Sequence, residues 1–374
     1  MGTRASEAIG RRIKTAREDA SLTQEDLAAA VRLDRSALAK VETGARKVSA
    51  LELALIADQL DSRIEWFLED APAAVVSRRN TREPGAASPT IDKLSERVTR
   101  EVEFVMTHDD RLRSTASPDP LRRPSNRAEV EAAANHARRL LGVDADEPLI
   151  ELAHLVGVIG LLTFSIDLGA EAADGSSILL ANGGIAVVNG HLHVGRRRLT
   201  LAHELGHYLF ADEFSVDWRV ADADQPNRSE AKIDHFARAL LLPGDGLTRV
   251  WNLHHEQERS LRAASVIIAS EYRVDMSTLA RRLSELRLVS TGEAQQIRGV
   301  RTTRADIIDF NLLIAEELQA PKLPRPYVEA VLRLYRQEMI SSARALDLLL
   351  DTWDEADLPD LPSLPEQAIW SFVT

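Results

Sequence analysis

His203-Glu204-Leu205-Gly206-His207 constrains this chain more than any other stretch. Two imidazoles four residues apart lie close together on one face where the backbone is helical, whereas in a strand they stand about 13 Å apart, so a shared ion demands a helix. Both rings can then reach one divalent ion, and the carboxylate between them lies beside it, placed to act on water as a general base. Gly206, lacking a side chain, permits a close approach of that helix to a neighbouring strand or helix. With ten His in 374 residues, chance yields such a string in about one chain in fifty. The bland counterpart is a surface helix carrying two titrating histidines.

Composition narrows the chemistry. There is no cysteine, which excludes disulfides, thiolate nucleophiles, iron–sulfur clusters and any sulfur-ligated zinc, so a metal here needs His and carboxylates. The formal charge of −12 excludes a uniformly basic nucleic-acid coat but not a local basic face. No apolar run approaches the roughly 18 residues of a membrane span, and the first residues lack a signal-peptide core. The expectation is a cytoplasmic protein with no membrane partner.

Punctuation divides the chain into four parts. Residues 1–70 read as short helices in a bundle, and 71–126, broken by Pro72, Pro84, Gly85, Pro89, Pro118, Pro120 and Pro124, as a linker with one isolated helix. Residues 127–290 read as an α+β unit with strands over 159–166 and 185–189, Gly183-Gly184 turning between hairpin arms, and helices near 196–210 and 229–242. Residues 291–374 read as a helical region, with a bend near Ser341-Ser342 and with Trp353 and Trp370 anchoring an acidic tail. The predicted class is mainly α with a small α+β core.

In the first part, Thr23-Gln24-Glu25-Asp26 and Ser49-Ala50-Leu51-Glu52 have the capping-box form, with Leu22/Leu27 and Val48/Leu53 as hydrophobic staples. Gly44 suits a helix C′ position. A helix from Gln24 to Ala30, a turn at Val31-Arg32-Leu33 and a helix over 34–42 make a helix-turn-helix. With Ile9-Gly10-Arg11-Arg12-Ile13 and the Glu42-Thr43-Gly44 stop, about sixty residues resemble the XRE (Cro/repressor-like) family. The resemblance implies that Arg35, Ser36 and Lys40 face the major groove of double-stranded DNA, that Thr23 and Gln24 lie against its backbone, and that Arg46 and Lys47 contact phosphates. It also implies a homodimer. Residues 1–60 carry ten basic and nine acidic residues, so a bundle used for protein contacts is the competing reading.

A catalytic zinc needs a third protein ligand and an open position. Glu230 is the best candidate, in the first turn of a helix downstream, with Asp234 at i+4 on the same face. The pair resembles the gluzincin arrangement, which implies that Glu230 binds Zn²⁺ and Asp234 orients a ligand His. Without that likeness, Glu230 is a helix-N-terminal carboxylate and Asp234 a solvated charge. Arg197-Arg198-Leu199-Thr200-Leu201-Ala202 before the motif, and Phe236-Ala237-Arg238-Ala239-Leu240-Leu241-Leu242-Pro243 after it, resemble the ImmA/IrrE metallopeptidase family over about 127–288, Asn189 and 274–283 included. That implies a zinc-dependent endopeptidase cleaving a regulatory, repressor-like protein, XRE-type repressors among the family's substrates. The alternative is a transcription factor whose zinc domain is a non-catalytic sensor or platform. His191, His193, His254 and His255 are expected to be bland, and the Tyr208 ring to pack in the core.

Overall fold

The chain divides into two units, Met1–Pro72 and Ala73–Thr374; the computed structural model describes residues 2–19, 22–60, 67, 77–79, 89–114, 117–210, 226–257, 259–312 and 316–361. The first unit holds α1 (Gly2–Asp19), α2 (Gln24–Ala30), α3 (Arg35–Glu42) and α4 (Ala50–Gln59). Both capping boxes form. The Thr23 hydroxyl accepts from Asp26 N–H at 3.1 Å while the Asp26 carboxylate accepts from Thr23 N–H at 2.9 Å, and Ser49 with Glu52 does the same. Leu22 and Val48 pack on a core that includes Ile13, Leu27, Leu38, Val41, Leu53 and Ile56. Gly44 stands two residues past α3 at φ +74°, where a Cβ would lie 2.7 Å from the Glu7 backbone. Beneath these helices Arg17 and Glu42 form a buried ion pair at 2.7 Å.

The second unit begins with β1 (Ser77–Arg79), α5 (Pro89–His108), α6 (Asp110–Arg113), α7 (Arg127–Leu140) and α8 (Leu152–Val158). The strands β2 (Leu161–Ile166), β3 (Gly175–Leu179) and β4 (Gly184–Asn189) follow, then α9 (Val194–Phe210) and α10 (Pro226–Leu241). Next come α11 (Gly244–Glu256), α12 (Leu261–Glu271), α13 (Met276–Glu285), α14 (Thr291–Arg298), α15 (Arg304–Asp309), α16 (Arg325–Arg336) and α17 (Ser342–Leu348). Asn126, Ser260, Asp275, Ser290, Thr303 and Ser341 cap six of these helices with a side-chain oxygen. The chain is mainly α with one small mixed sheet, as predicted.

The sheet order is β1-β3-β4-β2. β2 and β4 are parallel, whereas β3 runs antiparallel to both β4 and β1. The expected strands at 159–166 and 185–189 are therefore not the two arms of a hairpin. The hairpin arm is β3, and Gly183, at φ +87°, turns between β3 and β4. Gly-Ser-Ser-Ile-Leu is too polar to read as a buried strand by apolar content; it is buried because helices cover both faces. Side chains alternate between two cores accordingly: Ala186 and Val188 of β4 join the α9 side, Ile185 and Val187 the opposite side.

That opposite side holds α5 and the carboxy-terminal helices. Ile91, Val98, Val102 and Val105 of α5 are buried with Phe164, Tyr327, Val331, Leu334 and Leu348. The helix expected to stand alone between two arms is thus core, and α16 and α17 form the other wall rather than a separate layer. Asp109, capping α6, accepts from Arg333 at 2.7 Å and ties the walls together. Trp353 packs at the margin of this core, while Trp370 and most of the stretch 71–88 lie outside the described residues.

Candidate metal centre

The HExxH string lies in α9, a helix buried along nearly its whole length between the sheet and α10. Gly206 makes the contact with α10 possible: a Cβ there would meet Ile233 and Phe236 at 3.0 Å. The close crossing sets Glu230, in the second turn of α10, opposite both histidines. Its Oε2 is 3.2 Å from His203 Nε2 and 3.6 Å from His207 Nε2, and the two Nε2 atoms are 3.1 Å apart. Three ligand atoms at adjacent corners of a tetrahedron with bonds of about 2.05 Å stand about 3.3 Å apart. These spacings bracket that value.

The hydrogen bonding agrees with the donor set. His203 Nδ1 lies 3.0 Å from Asp234 Oδ1, so Nδ1–H donates to that carboxylate and leaves the lone pair on Nε2, the atom that faces Glu230. Two imidazole lone pairs and a carboxylate aimed at one point repel unless a cation lies between them. Two nitrogens and one anionic oxygen are a donor set that fits Zn²⁺. Among the described residues these three form the one group of His and carboxylates able to hold a metal ion.

Glu204 is fully buried and is not part of that triad. Its Oε2 accepts a hydrogen bond from Ser177 Oγ at 2.7 Å, and its Oε1 is buried with no partner among the described residues. Ser177 and Gly175 present the same side of β3 to α9, and a Cβ on Gly175 would collide with Thr200 and approach Glu204 Oε1 to 3.6 Å. These small residues give the carboxylate its space. Sequence reading missed both, because it looked for apolar strands; the usable signal was a run of Gly and Ser next to a helix that must bury a carboxylate.

The remaining histidines stay apart from the triad. His191 pairs with Asp167 at 3.2 Å on the surface, beside a loop organised by buried Asn189, which accepts from the N–H groups of Leu168 and His191. His254 is buried in α11 and His255 exposed. Tyr208 packs in the core, and its hydroxyl donates to Ile159 O at 2.8 Å.

In the first unit, Arg35, Ser36 and Lys40 are exposed on α3, and Lys47 is exposed in the following loop. Thr23 is engaged in its capping box, Gln24 Nε2 donates to Glu42 at 2.7 Å, and Arg46 pairs with Glu52 at 2.6 Å. Gln24 and Arg46 thus start from intramolecular partners.

Helix-turn-helix and metal-centre geometry on one chain define a class: a DNA-binding module joined to a metallopeptidase-like body. Residues 13–67 match the helix-turn-helix family, and residues 156–284 match the peptidase family described as the IrrE N-terminal-like domain. The chain is a fusion of an XRE-type helix-turn-helix with an IrrE/ImmA-type domain. No curated protein matches it. Among solved structures, the apo form of the competence regulator ComR from Streptococcus vestibularis aligns over 84% of this chain and 95% of its own at 16% identity, with a TM-score of 0.17, too loose a superposition to carry a conclusion. No helix among the described residues is long and apolar enough to cross a membrane.

Proposed function

We propose that this chain is a cytoplasmic, homodimeric DNA-binding regulator whose body is a zinc-dependent endopeptidase acting on a regulatory, repressor-like protein. The observation that carries it is the convergence of His203, His207 and Glu230 at zinc-ligand spacings beside Glu204. His203, His207 and Glu230 would hold the ion, and Asp234 would orient His203. Bound zinc supplies Lewis-acid polarisation and charge neutralisation at the scissile carbonyl. Glu204 takes the proton from the attacking water and delivers it to the leaving amine as the C–N bond breaks. Ser177, donating to Oε2, holds that carboxylate in one orientation.

On the DNA side, Arg35, Ser36 and Lys40 would read base edges, and Thr23, Gln24, Arg46 and Lys47 would lie along the phosphates. The catalytic half is tested by comparing cellular proteins in strains expressing the wild type and Glu204→Gln. A fragment present only with the wild type identifies the substrate. A phenotype that survives Glu204→Gln but not Glu230→Ala would instead make zinc a sensing or structural element of a transcription factor.

A further inference from the structure

We infer that the chain's own Ser77–Arg79 segment, paired along the outer edge of β3, occupies in cis the position that an extended peptide substrate takes. β1 is three residues long and pairs antiparallel with β3 in the register Ser77–Ser177, Arg78–Ser176 and Arg79–Gly175. Gly175 and Ser177 are the two residues of β3 that adjoin Glu204, one by its missing side chain and the other by a hydrogen bond. Whatever pairs with β3 over this stretch therefore runs past the Glu204 carboxylate. β1 also packs against α9, the helix that carries the HExxH string.

β3 has β4 on one side and β1 on the other. Without β1, its outer N–H and C=O groups are a template for any extended chain, and strand addition to such an edge is a general mode of peptide capture. Main-chain pairing is sequence-tolerant, so a segment of this chain and a substrate compete for the same groups. A three-residue ladder is short enough to be displaced. The segment lies just past Pro72, where the second unit begins, and the strap belongs to the body it covers. A substrate strand then has to displace it before reaching Glu204.

The chain contains no cysteine, so a reversible lock can be built at one directly opposed pair. Full-length R78C/S176C places two thiols across the ladder at a separation that a disulfide spans. The probe is a fluorescent peptide with the sequence of residues 73–84, and binding is read by anisotropy on the zinc-loaded protein. The reduced form should bind the probe at least ten-fold more tightly than the oxidised form. S77P/R78P, which removes whichever of these two adjacent N–H groups faces β3 and breaks the short ladder, should bind it at least ten-fold more tightly than the wild type. Hydrogen exchange should show faster exchange over 175–179 in that variant, with 184–189 unchanged. Equal affinity of oxidised and reduced forms, no probe binding by any form, or failure of the disulfide to form would overturn the inference. The inference rests on Glu204 being the base of a peptidase, yet binding is read without turnover. Failure of binding leaves Glu204-dependent cleavage untouched, and absence of cleavage with lock-sensitive binding intact would overturn the peptidase reading alone.

Discussion

Glu204 and Ser177 put the chemistry on a few atoms. Glu204→Gln keeps size and helix propensity but removes the proton acceptor, so zinc content should be unchanged while appearance of the cleaved fragment slows by at least about 10²-fold. Ser177→Ala deletes one hydrogen bond to Oε2 and leaves a second carboxylate oxygen unpartnered in a buried site. A loss of roughly ten-fold is expected, with zinc retained. A Ser177→Ala protein that cleaves at the wild-type rate would show that helix packing alone orients Glu204.

At the scale of elements, buried ion pairs join helices distant in sequence. Arg282 of α13 is fully buried, donates to Glu131 of α7 at 2.6 Å and 2.8 Å, and also donates to Leu242 O. Burial alone raises the Glu131 carboxyl, but Arg282 and then His235 overcome it and bring the group down to about 2. A depressed carboxylate contributes stability above its unfolded value of about 4.5 that is lost as pH falls toward 2. The contribution is on the order of 3 kcal/mol. Glu131→Gln removes the nearer anion of a buried guanidinium, leaving Glu285 at 3.9 Å, and should cost about 3 kcal/mol at pH 7. Thermal melts from pH 6 to pH 2.5 should bring the wild type and Glu131→Gln together; a gap that stays constant would assign the loss to packing.

Across the whole molecule, two chemistries should prove separable. Removing Arg35 and Lys40 together should weaken specific DNA binding without changing zinc content, and the footprint of a dimer should be a pseudo-palindrome. Arg46→Ala should weaken binding on all sequences alike, with a drop in salt slope smaller than the value of about one for a free cation, because Glu52 already neutralises part of that charge. Unchanged operator binding by the Arg35/Lys40 double variant would move recognition away from α3. Chelation should lower the melting temperature of the wild type and of Glu204→Gln, since a zinc held by His203, His207 and Glu230 would tie α9 to α10. Glu230→Ala should be destabilised at the outset and indifferent to chelator.

Much of this was legible along the chain because it depends on local spacing. Capping boxes act over three residues and the HExxH geometry over four, so Thr23, Ser49, His203 and His207 declare themselves without a tertiary structure. Glu230 was legible only as a helix-borne carboxylate at a suggestive distance; its approach to the histidines depends on how α9 and α10 cross at Gly206. Pairing between strands is non-local, and so β2 proved parallel to β4, and the polar stretch 175–179 became a buried strand once helices covered both its faces. The burial of α5 and the carboxy-terminal helices as one wall has the same origin, since an amphipathic stripe does not name the surface it will meet. Sequence alone determined the capped helices of the first unit, the helix that carries HExxH and which side chains can ligate a metal. Only tertiary packing decided which of them meet, because contact between distant segments depends on the whole set of apolar faces being buried at once.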